Sequence, residues 1–122
     1  MKGKKILIVD DDERNIFSLK AVLRSMGAKC ISATNGEEGI QVLKMNPDCD
    51  LVLLDMMMPI MDGFEAAWLI KNNSSLKQIP VIAVTAKAME GDMEKCLAAG
   101  CDDYISKPVD VDELISKLNN YL

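Results

Sequence analysis

Apolar residues along this chain fall into two alternating kinds of run. The first is short, unbroken and β-branched, as in Ile6-Leu7-Ile8-Val9, which ends on Asp10. A run without polar alternation predicts a strand buried on both faces. The second spreads apolar residues at helical spacing, as do Ile16, Leu19, Ala21, Val22, Leu23 and Met26 before Gly27, a residue suited to closing a helix. The same reading continues down the chain. Residues 29–34 predict a more exposed second strand, and Asn35-Gly36 leads into a helix with Ile40, Val42 and Leu43 that ends before Pro47. Leu51 to Leu54 form a third buried run, finishing on Asp55, and residues 56–63 a loop. A helix over 64–72 places Trp68 and Leu69 on its apolar side, and 72–75 (Asn-Asn-Ser-Ser) is the one plainly loose stretch. Residues 80–85 make a fourth strand, 88–99 a helix closed by Gly100, and Asp103–Ser106 a short fifth strand. The last helix covers 111–122, with Leu114, Ile115 and Leu118 inward and Asp110 as its N-cap.

Strands alternating with helices in this way predict an α/β fold, an open, doubly wound parallel sheet of five strands with helices on both faces. Right-handed crossovers leave few ways to wind it. With 122 residues, no internal repeat and no linker, residues 1–122 are expected to form a single domain. A hydrophobic share of 49% is enough for a core, and 27% charged residues is ordinary for a globular chain.

Charge and cysteine usage narrow the function. A net charge of -5 argues against direct nucleic-acid binding, which needs a basic footprint. No apolar run approaches the ~18 residues of a membrane span. The basic start, Met1-Lys2-Gly3-Lys4-Lys5, is followed by an apolar stretch too short for a signal peptide, so a cytoplasmic location is expected. Cys30, Cys49, Cys96 and Cys101 form no C-x-x-C pair, and no histidine is present to complete a zinc site. They are expected to be reduced and packed in or near the core. The missing histidine also removes serine-histidine and cysteine-histidine catalysis.

A doubly wound sheet binds ligands beyond the carboxyl ends of its strands. Those ends here carry Asp10 and Asp11, then Asp55, then Thr85, with Lys107-Pro108 after the fifth strand. Like charges at close range raise each other's pKa, so gathered carboxylates need a cation. Mg²⁺, a hard ion, suits carboxylates, water and a substrate phosphate. A carboxylate beside it can act as nucleophile toward phosphorus, giving an aspartyl phosphate, with Lys107 neutralising charge from the other side and Thr85 donating to a phosphoryl oxygen.

Four stretches then carry a resemblance: Ile6-Leu7-Ile8-Val9-Asp10-Asp11, the run from Leu54-Asp55-Met56-Met57-Met58-Pro59 through Ile60-Met61-Asp62-Gly63, Val84-Thr85-Ala86, and Asp103-Tyr104-Ile105-Ser106-Lys107-Pro108. Together, in order, they resemble a response-regulator receiver domain of two-component signalling over essentially the whole chain. The resemblance implies the flavodoxin-like strand order 2-1-3-4-5. It implies Asp55 as phosphoacceptor, Asp10 and Asp11 as the acidic pair for Mg²⁺ (Mn²⁺ substituting), and the Met57 backbone carbonyl as a further ligand. Thr85 would be the switch hydroxyl, Lys107 the phosphate-contacting ammonium and Tyr104 the switch aromatic, with a cis Lys107-Pro108 bond. Phosphoryl groups would come from a histidine kinase or a histidine phosphotransfer protein. The output would be a protein target or self-association through the face of the fourth helix, fifth strand and fifth helix. Such a domain is a signalling receiver, catalysing its own phosphorylation and slow dephosphorylation, rather than an enzyme acting on other substrates. Met57 and Lys87 occupy the two positions that tune lifetime in the family; an apolar Met57 would hinder attacking water and predicts a long-lived phosphorylated state.

Several residues have plainer readings. Asp12 falls just past the acidic pair and reads as a solvated residue or helix N-cap. The methionines at 56–58 and 61 suggest packing or exposure before any copper(I) site. Two other functions fit parts of the pattern. A Mg²⁺-dependent phosphatase would want a second acid at position 57 and a cap domain. A degenerate receiver, acting only by protein contact, would not need Asp10, Asp11, Asp55, Thr85 and Lys107 intact. The stretch Thr85-Ala86-Lys87-Ala88-Met89 with Gly91-Asp92 resembles receivers attached to hybrid histidine kinases, so the chain is expected to be such a receiver or a free-standing regulator.

Overall fold

A computed structural model describes residues 1–86 and 90–122, leaving out the side chain of Glu90. Strands β1 (Lys5–Val9), β2 (Lys29–Ala33), β3 (Leu51–Asp55), β4 (Val81–Thr85) and β5 (Asp103–Ser106) alternate with helices α1 (Glu13–Ser25), α2 (Gly36–Met45), α3 (Gly63–Lys71), α4 (Glu90–Ala98) and α5 (Val111–Tyr121). The strands form one parallel sheet in the order β2-β1-β3-β4-β5, as the resemblance implied. The expected start of the fourth helix at residues 88–89 lies outside the described residues.

The unbroken apolar runs work because successive side chains leave a strand on opposite faces. Ile6, Ile8, Leu51, Leu53, Ile82 and Val84 pack with Ile16 and Leu23 of α1 and Leu114 and Leu118 of α5. Leu7, Val9, Val52, Leu54, Val81 and Ala83 join Leu43, Ala66, Ala67, Ile70 and Cys96 on the other side. Each fully buried Leu or Ile contributes about 2 kcal/mol of transfer free energy, so both faces are fixed by the same short runs.

Helix ends follow local chemistry. Asp12 accepts the Arg14 N–H, and Asn35, Asp62 and Asp110 accept the N–H of Glu38, Glu65 and Glu113, all at 2.9 Å. Such caps contribute about 1 kcal/mol each. Asp12 is therefore the N-cap of α1, one of its two sequence readings. At the far end of α1, Gly27 adopts φ +91°, while the N–H groups of Gly27 and Ala28 reach back to the carbonyls of Arg24 and Leu23. Only glycine takes that conformation cheaply, and the same closure recurs at Gly100.

Two sequence expectations need correction. Trp68 is 56% exposed, not on the apolar side of its helix. The buried stripe of α3 is Gly63, Ala66, Ala67 and Ile70, and Trp68 lies about 100° round the helix from Ala67. The stretch 72–75 is not loose: Asn73 accepts from Ser75 through its side chain and from Leu76 and Lys77 through its carbonyl, and Leu76 is buried. The cysteines behave as expected. All are free; Cys49, Cys96 and Cys101 are buried and Cys30 is half-buried, and burial pushes the Cys101 thiol up to about 12.

The sheet edge opposite the strands' carboxyl ends carries a repeated device. Asp50, just before β3, accepts the Lys5 N–H of β1 at 2.8 Å, and Asp102, just before β5, accepts the Val81 N–H of β4 at 2.8 Å. Lys71 of α3 pairs with Asp102 at 2.8 Å and also donates to the Ile79 carbonyl.

Candidate functional site

The parallel sheet brings the carboxyl ends of its strands to one edge. Asp10 follows β1, Asp55 ends β3 and Thr85 ends β4; all three are buried polar residues amid apolar strand residues. Register sets Asp55 beside Val84, one residue before Thr85. Carboxylate oxygens of Asp10, Asp11 and Asp55 lie within 4.8 Å of one another, and Asp11 is the exposed member. Lys107, carried on the loop after β5, sets its ammonium 3.6 Å from Asp10 and 3.5 Å from Asp55. Its backbone N–H donates to the Thr85 carbonyl at 2.8 Å, joining the ends of β4 and β5, and the Lys107–Pro108 bond is cis.

Each buried carboxylate is held by neighbouring donors. Asp10 accepts the Asp12 N–H at 2.9 Å and the Asn15 side-chain amide at 3.4 Å, while Asp55 accepts the Met57 N–H at 3.1 Å. Burial raises the Asp55 carboxyl above the usual carboxylate range; Asp10 and Asp11 add to this, and the Met57 N–H and Lys107 oppose it. Among the described residues, one ammonium, that of Lys107, pairs with two of the three clustered carboxylates, so negative charge is in excess there. The donors are hard oxygens at close spacing, the chemistry that suits Mg²⁺ rather than a soft metal. A cleft of about 550 Å³ opens beside Asp10 and Lys107, between α1 and the loop after β5, with Asn15, Ser18, Leu19 and Pro108 in its walls.

Thus Asp10, Asp11, Asp55 and Lys107 converge. Met57 joins them through its backbone, with its side chain 59% exposed, while Met56 and Met58 are buried. Lys87 lies outside the described residues. Tyr104 is half-buried on β5, paired with Ala83, and the Lys117 ammonium of α5 stands 4.5 Å from its ring centroid. Sequence reasoning missed two partners. Asn15 had a local signal, one turn into the helix that follows Asp10. Lys117 had none, because 13 residues separate it from Tyr104.

Comparison with known proteins gives a consistent answer. The chain is 44% identical over 120 residues to hybrid signal transduction histidine kinase G of Dictyostelium discoideum, covering 96% of this chain but 4% of that protein. It is 37% identical over 119 residues to the polar-differentiation response regulator DivK of Brucella anthropi, covering 98% of this chain and 96% of that one. A similar solved structure is the receiver domain of sensor histidine kinase PA1611 from Pseudomonas aeruginosa PAO1, with a magnesium ion coordinated in its active site cleft. It is 35% identical with a TM-score of 0.84, covering 98% of this chain and 97% of that one. The chain thus spans a small fraction of the one relative's length and nearly all of the other's. A family model described as the response regulator receiver domain matches residues 6–119, and the chain belongs to that family.

Proposed function

We propose that residues 1–122 act as one cytoplasmic phosphoacceptor module, taking a phosphoryl group on Asp55 from a phosphohistidine of a histidine kinase or histidine phosphotransfer protein. The observation that carries this reading is Asp55 itself, buried yet grouped with Asp10 and Asp11 and 3.5 Å from Lys107. A buried carboxylate so surrounded is suited to reaction with an electrophile.

In the proposed step a carboxylate oxygen of Asp55 attacks phosphorus. The P–O bond forms as the P–N bond breaks, and the imidazole leaves and takes up a proton. Asp10, Asp11, Asp55 and the Met57 carbonyl would hold Mg²⁺, with Mn²⁺ as a substitute. When bound, the ion supplies charge neutralisation for the phosphoryl oxygens. Lys107 does the same from the protein side, fixed by its contacts to both buried carboxylates. The Met57 N–H orients the Asp55 carboxylate through its hydrogen bond. Thr85 then engages the phosphoryl group and Tyr104 moves in response. That shift in population alters the surface of α4, β5 and α5, which meets a protein target or a second copy. Direct binding to nucleic acid or membrane is no part of this reading.

Acetyl phosphate with Mg²⁺ should label the wild type stoichiometrically and leave Asp55→Asn unlabelled; persistent labelling of that variant would refute the assignment. The exposed, apolar Met57 side chain offers attacking water no hydrogen bond. The phosphorylated state should therefore outlast the seconds scale, and loss of label within seconds in Mg²⁺ would show that Met57 provides no shielding.

A further inference from the structure

The outer side of β5 is an open sheet edge, and open edges need cover. Here α5 provides it. The Lys117 ammonium donates to the Tyr104 carbonyl and, at 3.2 Å, to the Asp103 carboxylate, with Glu113 3.7 Å away. The same Asp103 oxygen accepts the Tyr104 N–H at 2.8 Å. The Tyr121 hydroxyl donates to the Asp102 carbonyl at 3.0 Å. Both outward backbone groups of Tyr104 are thus engaged, and the Lys117 ammonium also covers the Tyr104 ring at 4.5 Å.

These contacts divide Tyr104 into a fixed and a movable part. Its backbone is held from two directions by charged groups. Its ring is held on this side by the Lys117 ammonium, which attracts the ring face electrostatically. The ring can leave that cation by side-chain rotation, without breaking any of the backbone contacts. From this we infer that Lys117 is the positioning residue for Tyr104. It holds the ring in its unphosphorylated place and sets how readily phosphorylation moves it. The inference rests on the proposed switch role of Tyr104.

The test uses the whole chain with ¹³C-labelled tyrosine and lysine, observed by NMR with and without Mg²⁺ and beryllofluoride, a stable mimic of the aspartyl phosphate. With two tyrosines in the chain, Tyr121→Phe assigns the signals. Lys117→Met should carry the Tyr104 ring signals of the unmodified protein part of the way to their beryllofluoride position, an approximately fivefold shift in the ring equilibrium. Lys117→Arg, which keeps a cation over the ring, should leave them at the wild-type position. Wild-type ring signals in Lys117→Met would overturn the inference. Should that variant not fold, the wild type still decides. The ε-methylene protons of Lys117 should be ring-shifted upfield and relax toward ordinary lysine values with beryllofluoride. Ordinary values in the unmodified protein overturn the inference alone. If Tyr104 ring signals ignore beryllofluoride in the wild type, the switch reading falls, and the gating half of the inference with it.

Discussion

At the scale of single residues, Gly63 shows how tightly the loop after Asp55 is closed. A β-carbon there would stand 2.5 Å from the Asp55 carbonyl oxygen and 2.6 Å from the Met56 α-carbon. Both are backbone atoms on the strand end that carries the site, so neither can swing aside. Gly63→Ala should cost about 3 kcal/mol in urea unfolding, as overpacking does, and should slow labelling of Asp55. A variant as stable and as reactive as wild type would show that the loop yields. Residues with a strand-end position or a matching motif were legible in the sequence: Asp10, Asp11, Asp55, Thr85 and Lys107 all stood next to a recognisable apolar run. Trp68 was misread because one residue's error in helical phase moves a side chain through about 100°. The Lys117–Tyr104 contact had no local sign at all.

At the scale of elements, the strands and helices were legible because their apolar periods differ, and among the described residues boundaries moved by only a residue or two. Strand β4 begins at Val81 rather than at residue 80, where a proline has no N–H to donate to the ladder. The caps at Asp50 and Asp102 were not legible, because their partners are the first residues of spatially adjacent strands, 45 and 21 positions away. Each carboxylate satisfies a donor at the open start of a strand. Removing one leaves a backbone N–H without its charged acceptor. Asp102→Ala, which also strips Lys71 of its ion pair, and Asp50→Ala should each cost roughly 2 kcal/mol. Chemical denaturation measures this, and a loss within error at both positions would mean that water replaces the carboxylates without penalty.

At the scale of the whole molecule, the parallel alternation and the two-sided core followed from the residues, while the strand order came from family resemblance and was met by the structure. Among the described residues, winding the strands in that order brings three carboxylates and one ammonium, Lys107, to the same edge, an excess of negative charge that a divalent ion would offset. Binding to the folded state alone raises stability by linkage. Mg²⁺ at ten times its dissociation constant should add about 1.4 kcal/mol, a melting shift of roughly 5 °C in a domain this size. Asp55→Asn should respond less. A wild-type melting temperature indifferent to millimolar Mg²⁺ would contradict the cation reading of the cluster.

The turn at 72–75 falls between the two sets of residues that the sheet gathers. Asp10, Asp11 and Asp55 precede it; Thr85 and Lys107 follow it. No contiguous fragment on either side carries both the acidic pocket and the lysine that faces it at 3.5 Å. Cleaved or separately expressed halves would each lack part of the chemistry, and they would regain it only by reassembling the central β3–β4 pairing. In such a split protein, phosphoryl acceptance would serve as a readout of complementation between the two pieces.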